Sequence, residues 1–322
     1  MNQAGVPELD PEQVSDLYER VRATVRTMVV GQDEALQLCC LALLVQGHAL
    51  LQGVPGLGKT LLVRALASAL GVGFGRVQFT PDLMPSDLTG GLVYDAAKAA
   101  FEFRPGPMFT DLLLGDEINR APAKTQAAML EAMQERQVTV GGERHRLGEH
   151  FTVFATQNPI EHEGTYPLPE AELDRFLFRI DLQYPARDDE RALLAAHHVC
   201  DPEPRRAAAV LDGPQLTAAR AAVRKVTLRE ELLDYVLALL RATRDDPSLT
   251  VGGSPRAGLW LTRAAKAMAA LSGRGYVLPE DVQRVWLPCF RHRVVLEPSA
   301  AVDGLSSDDA LRQVLGRVPV PH

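Results

Sequence analysis

The apolar positions of the chain change their period as it proceeds. Residues 11–28, PEQVSDLYERVRATVRTM, carry apolar residues at helical spacing behind an Asp-Pro start. A short loop, VVGQ, leads into a strongly apolar helix expected from about Asp33 to Gln46. HALLQG reads as a short buried strand that runs into a glycine-rich turn, and KTLLVRALASAL reads as a helix stopped at Gly71. RVQFT, DLLLGDE, HFTVFATQN and FRIDLQYP supply the second to fifth strands. Helices alternate with these strands, which predicts an α/β fold with a parallel sheet flanked by helices on both faces.

Two stretches break the alternation. DLTGGLVYDAAKAAFEFRPGPMF is longer than a crossover needs, and its glycines and alternating apolar residues suggest an inserted hairpin. RQVTVGGERHRLGEHF does the same before the fourth strand, with Gly141-Gly142 as the turn. Past Tyr184-Pro185 the strand signals stop. Helices are expected near 188–199, 214–225, 229–244, 255–272 and 279–291, and nothing is assigned after Glu297. The expected organisation is a helical segment over 1–30, an α/β domain over 31–185 and an all-α lid over 186–322.

Composition narrows the class without choosing a function. The 322 residues are 46% hydrophobic and 23% charged, as in ordinary globular proteins, and suffice for two domains without disulfide or metal staples. A net charge of −7 argues against non-specific nucleic-acid binding. Cys39, Cys40, Cys200 and Cys289 form no CxxC pair and read as buried reduced thiols. His197-His198 reads as helix surface. The start, MNQAGVPELD, lacks a signal-peptide layout, and no apolar run approaches the length of a membrane span, so the cytoplasm is the expected compartment.

GVPGLGKT, Gly53 to Thr60, completes the pattern G-x-x-x-x-G-K-[ST] between a strand and a helix. Its glycines let backbone N–H groups turn toward an anion, and the helix N-terminus adds partial positive charge. Lys59 is in position to reach β- and γ-phosphates, and the Thr60 hydroxyl to ligate Mg²⁺. Gly53, Pro55, Gly56, Gly58, Lys59, Thr60 and Leu61 form the expected nucleotide-contacting set. LLLGDEINR then ends a buried strand on two carboxylates, a costly placement unless they hold a cation or orient water. Asp116 is the expected Mg²⁺ partner and Glu117 the general base. Asn158 stands at the end of the next strand, at the edge where open α/β sheets bind ligands, where its amide is a candidate to position the water or contact the γ-phosphate, with a turn Asn before Pro159 as the alternative. Thr156 is a weaker candidate for the same role.

GVPGLGKT, LLLGDEINRAPAKTQAAMLEAMQERQVTV, FATQNPIEHEGTYPLPEAELDRF and SPRAGLWLTRAAKAMAAL together resemble the MoxR family of AAA+ ATPases, from about Val29 to Arg293. The resemblance implies that Lys59 and Thr60 are the Walker A pair, Asp116 and Glu117 Walker B, and Asn158 sensor 1. It makes Arg175 the arginine finger and Arg256 sensor 2, and matches the two hairpins to the helix-2 and pre-sensor-1 inserts. Ser254 and Pro255 suit the cap and first position of a helix, so Arg256 falls in its first turn, from which it is expected to lean onto a nucleotide held between the domains. Arg175 is expected to serve a neighbouring subunit, with Arg179 as second candidate and an ion pair to Asp174 as the alternative.

The resemblance further implies ATP and Mg²⁺ as ligands, a homo-oligomeric ring, most often a hexamer, and chaperone-like maturation of protein complexes. It implies a separate partner bearing a von Willebrand factor A domain, since no DxSxS stretch supplies one here. The segment before Val29 is about one helix long, so no further N-terminal recognition domain is expected. The alternatives are a chelatase-subunit or carboxylase-activase motor, a nucleotide-gated scaffold, which Glu117 argues against, and a nucleic-acid motor working through the hairpin tip at Arg144, His145 and Arg146. Glu143 and Glu149 dilute the charge of that tip, so nucleic acid is not the expected partner.

Overall fold

A computed structural model describes residues 8–158, 165–197 and 208–321. Helix α1 (Pro11–Arg26) starts on a reciprocal cap, in which the Asp10 carboxylate accepts the Gln13 N–H at 2.8 Å and the Gln13 side chain accepts the Asp10 N–H at 3.0 Å. Its apolar stripe, Val14 to Val25, is buried in the main core. Helix α2 (Asp33–Leu44) is buried almost all round. There follow β1 (Ala49–Gln52), α3 (Lys59–Ala69), β2 (Phe74–Gln78), α4 (Pro85–Thr89), β3 (Gly90–Asp95) and β4 (Ala100–Pro105). Next come β5 (Leu112–Asp116), α5 (Ala123–Glu135), β6 (Gln137–Val140), β7 (Glu143–Arg146), β8 (Thr152–Gln157), α6 (Glu170–Leu173) and β9 (Phe178–Asp181).

The central sheet has the order β2-β5-β8-β1-β9, and every pairing is parallel. Alternation along β1 sends Ala49 and Leu51 into the core shared with α2 and α3, and Leu50 into a second core with Val153, Ala155 and α5. Both sheet faces are therefore covered, as the continuous apolar strands predicted. The inserts are antiparallel hairpins, β3 with β4 and β6 with β7. Gly141 and Gly142 turn the second at φ 60° and 87°, the left-handed region that favours glycine.

The C-terminal part comprises α7 (Arg187–His197), α8 (Gly213–Lys225), α9 (Glu230–Arg244), β10 (Leu249–Val251), α10 (Pro255–Leu271), α11 (Pro279–Phe290), β11 (Val295–Leu296), α12 (Pro298–Val302) and α13 (Ser307–Arg317). The expectation that strands end at Pro185 is corrected here, because β10 and β11 form a small antiparallel pair. Two or three residues carry too little alternation to announce a strand. The unassigned tail is also structured. Ser306 and Asp309 form a capping box, and α13 buries Ala310, Leu311 and Val314, with Trp286 Nε1 donating to the Leu311 carbonyl at 3.0 Å.

Buried charge joins the two parts. Arg220 on α8 is 2% exposed and donates through Nε to the Leu43 carbonyl at 2.9 Å and through Nη1 to that of Glu149 at 3.2 Å. Burial pulls its pKa down to about 10. Ser15 on α1 donates to the Leu271 carbonyl at the end of α10. No helix among the described residues is long and apolar enough to cross a membrane.

Candidate functional site

The loop between β1 and α3 is shaped by backbone needs. Gly56 and Gly58 have φ of 89° and 78°, and nothing lies within 4 Å of where a Cβ would stand at either. Glycine is thus required by conformation, while the space above the loop stays open. Gly58 caps α3 without a side chain, so the first-turn N–H groups have no side-chain acceptor. That is the arrangement in which a helix N-terminus receives an anion. Lys59 Nζ donates to the carbonyls of Gly53 at 2.7 Å and Val54 at 2.9 Å. Burial lowers its pKa, opposed by the carboxylates of Asp116 and Glu117. Leu61 is exposed in the same turn, and Pro55 on the loop.

Parallel pairing carries the acidic pair to the same sheet edge. Asp116 lies at the end of β5, opposite Gln78, and is only 8% exposed. Its Oδ1 accepts from Thr156 Oγ1 at 2.6 Å, and its Oδ2 accepts from Arg76 Nη2 at 2.7 Å and Thr60 Oγ1 at 3.4 Å. Glu117 sits in the left-handed region at φ 58°, ψ 51°, which costs a non-glycine residue roughly 1–2 kcal/mol. Three contacts hold it there. Thr156 Oγ1 accepts its N–H at 2.8 Å, and its Oε2 accepts from Gln78 Nε2 at 2.7 Å and Arg120 Nη1 at 3.1 Å. Gln46, Ala99 and Arg136 also have positive φ, but Glu117 alone of these four is a carboxylate and lies at the sheet edge that carries the loop.

Thr156 thus ties the two carboxylates together. Asn158, one residue past β8, is buried at the same edge. Arg76, Gln78 and Arg120 were not singled out from sequence. The available signal was the two-residue spacing of Arg76 and Gln78 on a strand whose neighbour ends in Asp-Glu.

The hydroxyl of Thr60 and the carboxylate of Asp116 are hard oxygen donors within 3.4 Å of each other, a set that suits Mg²⁺ completed by water and phosphate. Among the described residues no group of three or more His, Cys, Asp or Glu side chains could hold a metal by itself. The residues therefore fit a metal that arrives with a nucleotide.

The two arginines expected to touch nucleotide lie elsewhere. Arg175 precedes β9, and in a parallel sheet that is the edge remote from the loop. The four residues of β1 alone separate the edges by roughly 13 Å. Arg175 lines a cavity of about 380 Å³ with His48, Arg136, Arg256, Trp260 and Arg263, and no acidic side chain lines it among the described residues. His48 accepts the Val153 N–H at Nδ1, which leaves Nε2–H to donate to the Met133 carbonyl. Burial, and then Arg136, push its pKa down to about 3. Arg256 follows Ser254 and Pro255 as expected, with Ser254 Oγ accepting the Ala257 N–H at 3.1 Å. The cavity it shares, however, is that of Arg175 and not of its own chain's loop.

Among the described residues, no hydrogen bond or ion pair engages the Arg175 guanidinium. Asp174, its alternative partner, takes Arg293 instead at 2.7 Å. Arg179, the second candidate, is held by both oxygens of Asp181 at 3.1 Å.

The hairpins pack on each other. His145 stacks on Phe103 with ring centroids 3.8 Å apart, and a side chain at Gly141 would meet Leu92. The basic tip considered for nucleic acid is therefore partly spent on this contact. Cys39, Cys40 and Cys289 are free and buried, and burial pushes Cys40 up to about 12 and Cys289 up to about 11. Cys200, His198 and the side chain of His197 lie outside the described residues.

A family model for "ATPase family associated with various cellular activities (AAA)" matches residues 48–178, and one for an AAA lid domain matches residues 241–314. The YeaC protein of Bacillus subtilis is 41% identical, with 96% of this chain and 97% of that protein covered. Chaperone MoxR1 of Mycobacterium tuberculosis is 41% identical, covering 94% and 82% respectively. A solved protein of Cytophaga hutchinsonii superposes with a TM-score of 0.90 at 38% identity, over 97% of both chains.

Proposed function

This chain belongs to the MoxR family of AAA+ ATPases, and from that premise we propose that it hydrolyses ATP in a homo-oligomeric ring to remodel partner protein complexes. The observation that carries the reading is the position of Arg175. Among the described residues no partner engages its guanidinium, and it lines, with Arg256, a cavity without described acidic residues at the sheet edge remote from its own phosphate loop. A ring places that edge of one protomer against the loop of the next, and the two arginines then complete a neighbour's site. Arg256 acts in this reading across the interface, not within its own chain.

The chemistry divides among named groups. The loop N–H groups and Lys59 hold the phosphates. Bound Mg²⁺, held by Thr60 and Asp116, would neutralise phosphate charge. Glu117 accepts a proton from water as its oxygen attacks the γ-phosphorus and the bond to the ADP oxygen breaks. Asn158 orients that water, and the neighbour's Arg175 stabilises the charge of the transferring group. A guanidinium in this role is worth about 10³–10⁵ in rate. The work done on a client follows the family: the relative MoxR1 bears the name chaperone, and a separate chain with a von Willebrand factor A domain is the partner we expect.

The test is the concentration dependence of turnover. Specific activity should fall steeply on dilution below the assembly range, and Arg175→Ala should abolish it while leaving nucleotide affinity intact. Equal specific activity at all concentrations, together with an active Arg175→Ala variant, would overturn the reading.

A further inference from the structure

We propose that Arg293, with His292 and Asp174, is a positioning device that aims Arg175 and couples its aim to the lid; this rests on the reading that Arg175 serves a neighbouring chain. The three residues Arg291, His292 and Arg293 follow the end of α11 at Phe290 and precede β11. Each of them reaches back to the segment that carries Arg175.

The Arg293 side chain is 1% exposed. Its Nε donates to Asp174 Oδ1 at 2.7 Å, its Nη2 to the carbonyls of Asp174 at 3.2 Å and Phe176, and its Nη1 to the carbonyl of Leu177 at 3.0 Å. The bonded groups flank Arg175 on both sides. His292 is buried, and burial followed by the charge of Arg293 holds its pKa well below the ordinary value. It is therefore neutral, and its Nε2–H donates to the same Phe176 carbonyl at 3.0 Å. Arg291 holds Asp181, at the far end of β9, at 2.8 Å and Asp308 on α13 at 3.0 Å. The lid thus grips the stretch from Asp174 to Asp181 at both ends.

Among the described residues Arg175 itself is gripped through its backbone alone, whose N–H donates to the Glu172 carbonyl at 3.2 Å. Its direction is set by the peptides that Arg293 holds. A buried arginine is a costly choice for stability alone, since apolar residues of similar volume often serve as well. A guanidinium that bridges one carboxylate and four carbonyls, that of Cys289 on α11 among them, does what an apolar side chain cannot: it transmits a displacement of α11 to the backbone of Arg175. Movement of one protomer's lid then alters the cation offered to the next protomer's phosphates.

The test uses mixed assemblies of full-length chains. Asp174 is only partly buried, and Asp174→Asn keeps its shape while removing the ion pair. This variant should lose about 10- to 100-fold in kcat, the scale of a misplaced catalytic group, with ATP affinity at its own loop within about twofold of the parent. Arg293→Lys, which keeps the charge but cannot span the carbonyls, should show the same split. Mixing either variant with Lys59→Ala chains, which have a disabled loop and an intact Arg175, should restore turnover at the mixed junctions. Arg175→Ala mixed with Lys59→Ala is the control. If the control recovers but the Asp174→Asn mixture does not, the defect lies within the variant's own chain and the proposal fails while the ring reading stands. If the control also stays inactive, both fail. Parent-like kcat in Asp174→Asn and Arg293→Lys alone would likewise overturn the proposal.

Discussion

Thr156→Val is the substitution that most directly tests how the acidic pair is held. Valine keeps the shape and burial of a side chain that is 1% exposed but deletes the hydroxyl. Two bonds are lost: the 2.6 Å donation to Asp116 Oδ1 and the 2.8 Å acceptance from the Glu117 N–H. A hydrogen bond to a charged group contributes about 1.5–3 kcal/mol, and an amide left unpaired costs about 1–3 kcal/mol. Partial solvent access at Glu117 reduces the second, so a stability loss of about 2–5 kcal/mol is expected, or roughly 3–7 °C in melting temperature for a chain of this length. The kinetic effect follows from strain. Without its N–H anchor, Glu117 has less reason to keep the left-handed backbone, and relaxation toward an extended one would swing the carboxylate away from the water that the proposed reaction has it polarise. General-base action contributes about 10²–10⁴ in rate, so kcat at saturating ATP should fall at least about tenfold. Thr156→Ser, which retains the oxygen, should recover most of both losses. Steady-state turnover and thermal melting of the three proteins decide the matter. A valine variant with parental kcat and melting temperature would refute the role given to Thr156.

Two further outcomes follow from charges that sequence reasoning passed over or left undefined. Arg76 pairs with Asp116 Oδ2 from a side chain that is 45% exposed. Arg76→Leu should lower the Mg²⁺ concentration that half-saturates turnover; an unchanged Mg²⁺ requirement would show that Arg76 does not compete for that oxygen. The second outcome concerns acid. His48 is neutral in the fold with a pKa of about 3, against 6.5 ordinarily, so below that ordinary value the unfolded chain binds the extra proton. Its contribution to stability is complete above about pH 6.5 and is lost as pH falls toward 3, by about 2 kcal/mol at pH 5. His48→Asn, which keeps a donor and an acceptor but does not titrate, should flatten the melting temperature between pH 7 and pH 5; equal slopes for both proteins would sink the assignment.

What could be read from the chain alone was whatever depends on local order. The period of apolar residues gave the five parallel strands and the helices between them, since burial on two sheet faces leaves continuous apolar runs. GVPGLGKT announced an anion loop because its glycines, its lysine and its hydroxyl act within one turn. The Asp-Glu at the end of a buried strand was legible for the same reason, as was the resemblance those segments carry. Other elements escaped: β10 and β11 are too brief for a period, and α13, with its cap at Ser306 and Asp309 and apolar residues at Ala310, Leu311 and Val314, is unassigned from sequence alone.

The tertiary structure decided everything that depends on which edge a residue occupies. Sequence placed Arg256 in the first turn of a helix but could not say which cavity that turn faces, and the fold puts it beside Arg175, across the sheet from the loop. It likewise freed Arg175 by giving Asp174 to Arg293, 119 positions away, and tied up Arg179 with Asp181. Thr156 became the link between two carboxylates only through strand register. Pairing between distant residues is chosen by the whole packing, through burial and the exclusion of water. No local pattern of residues encodes that choice.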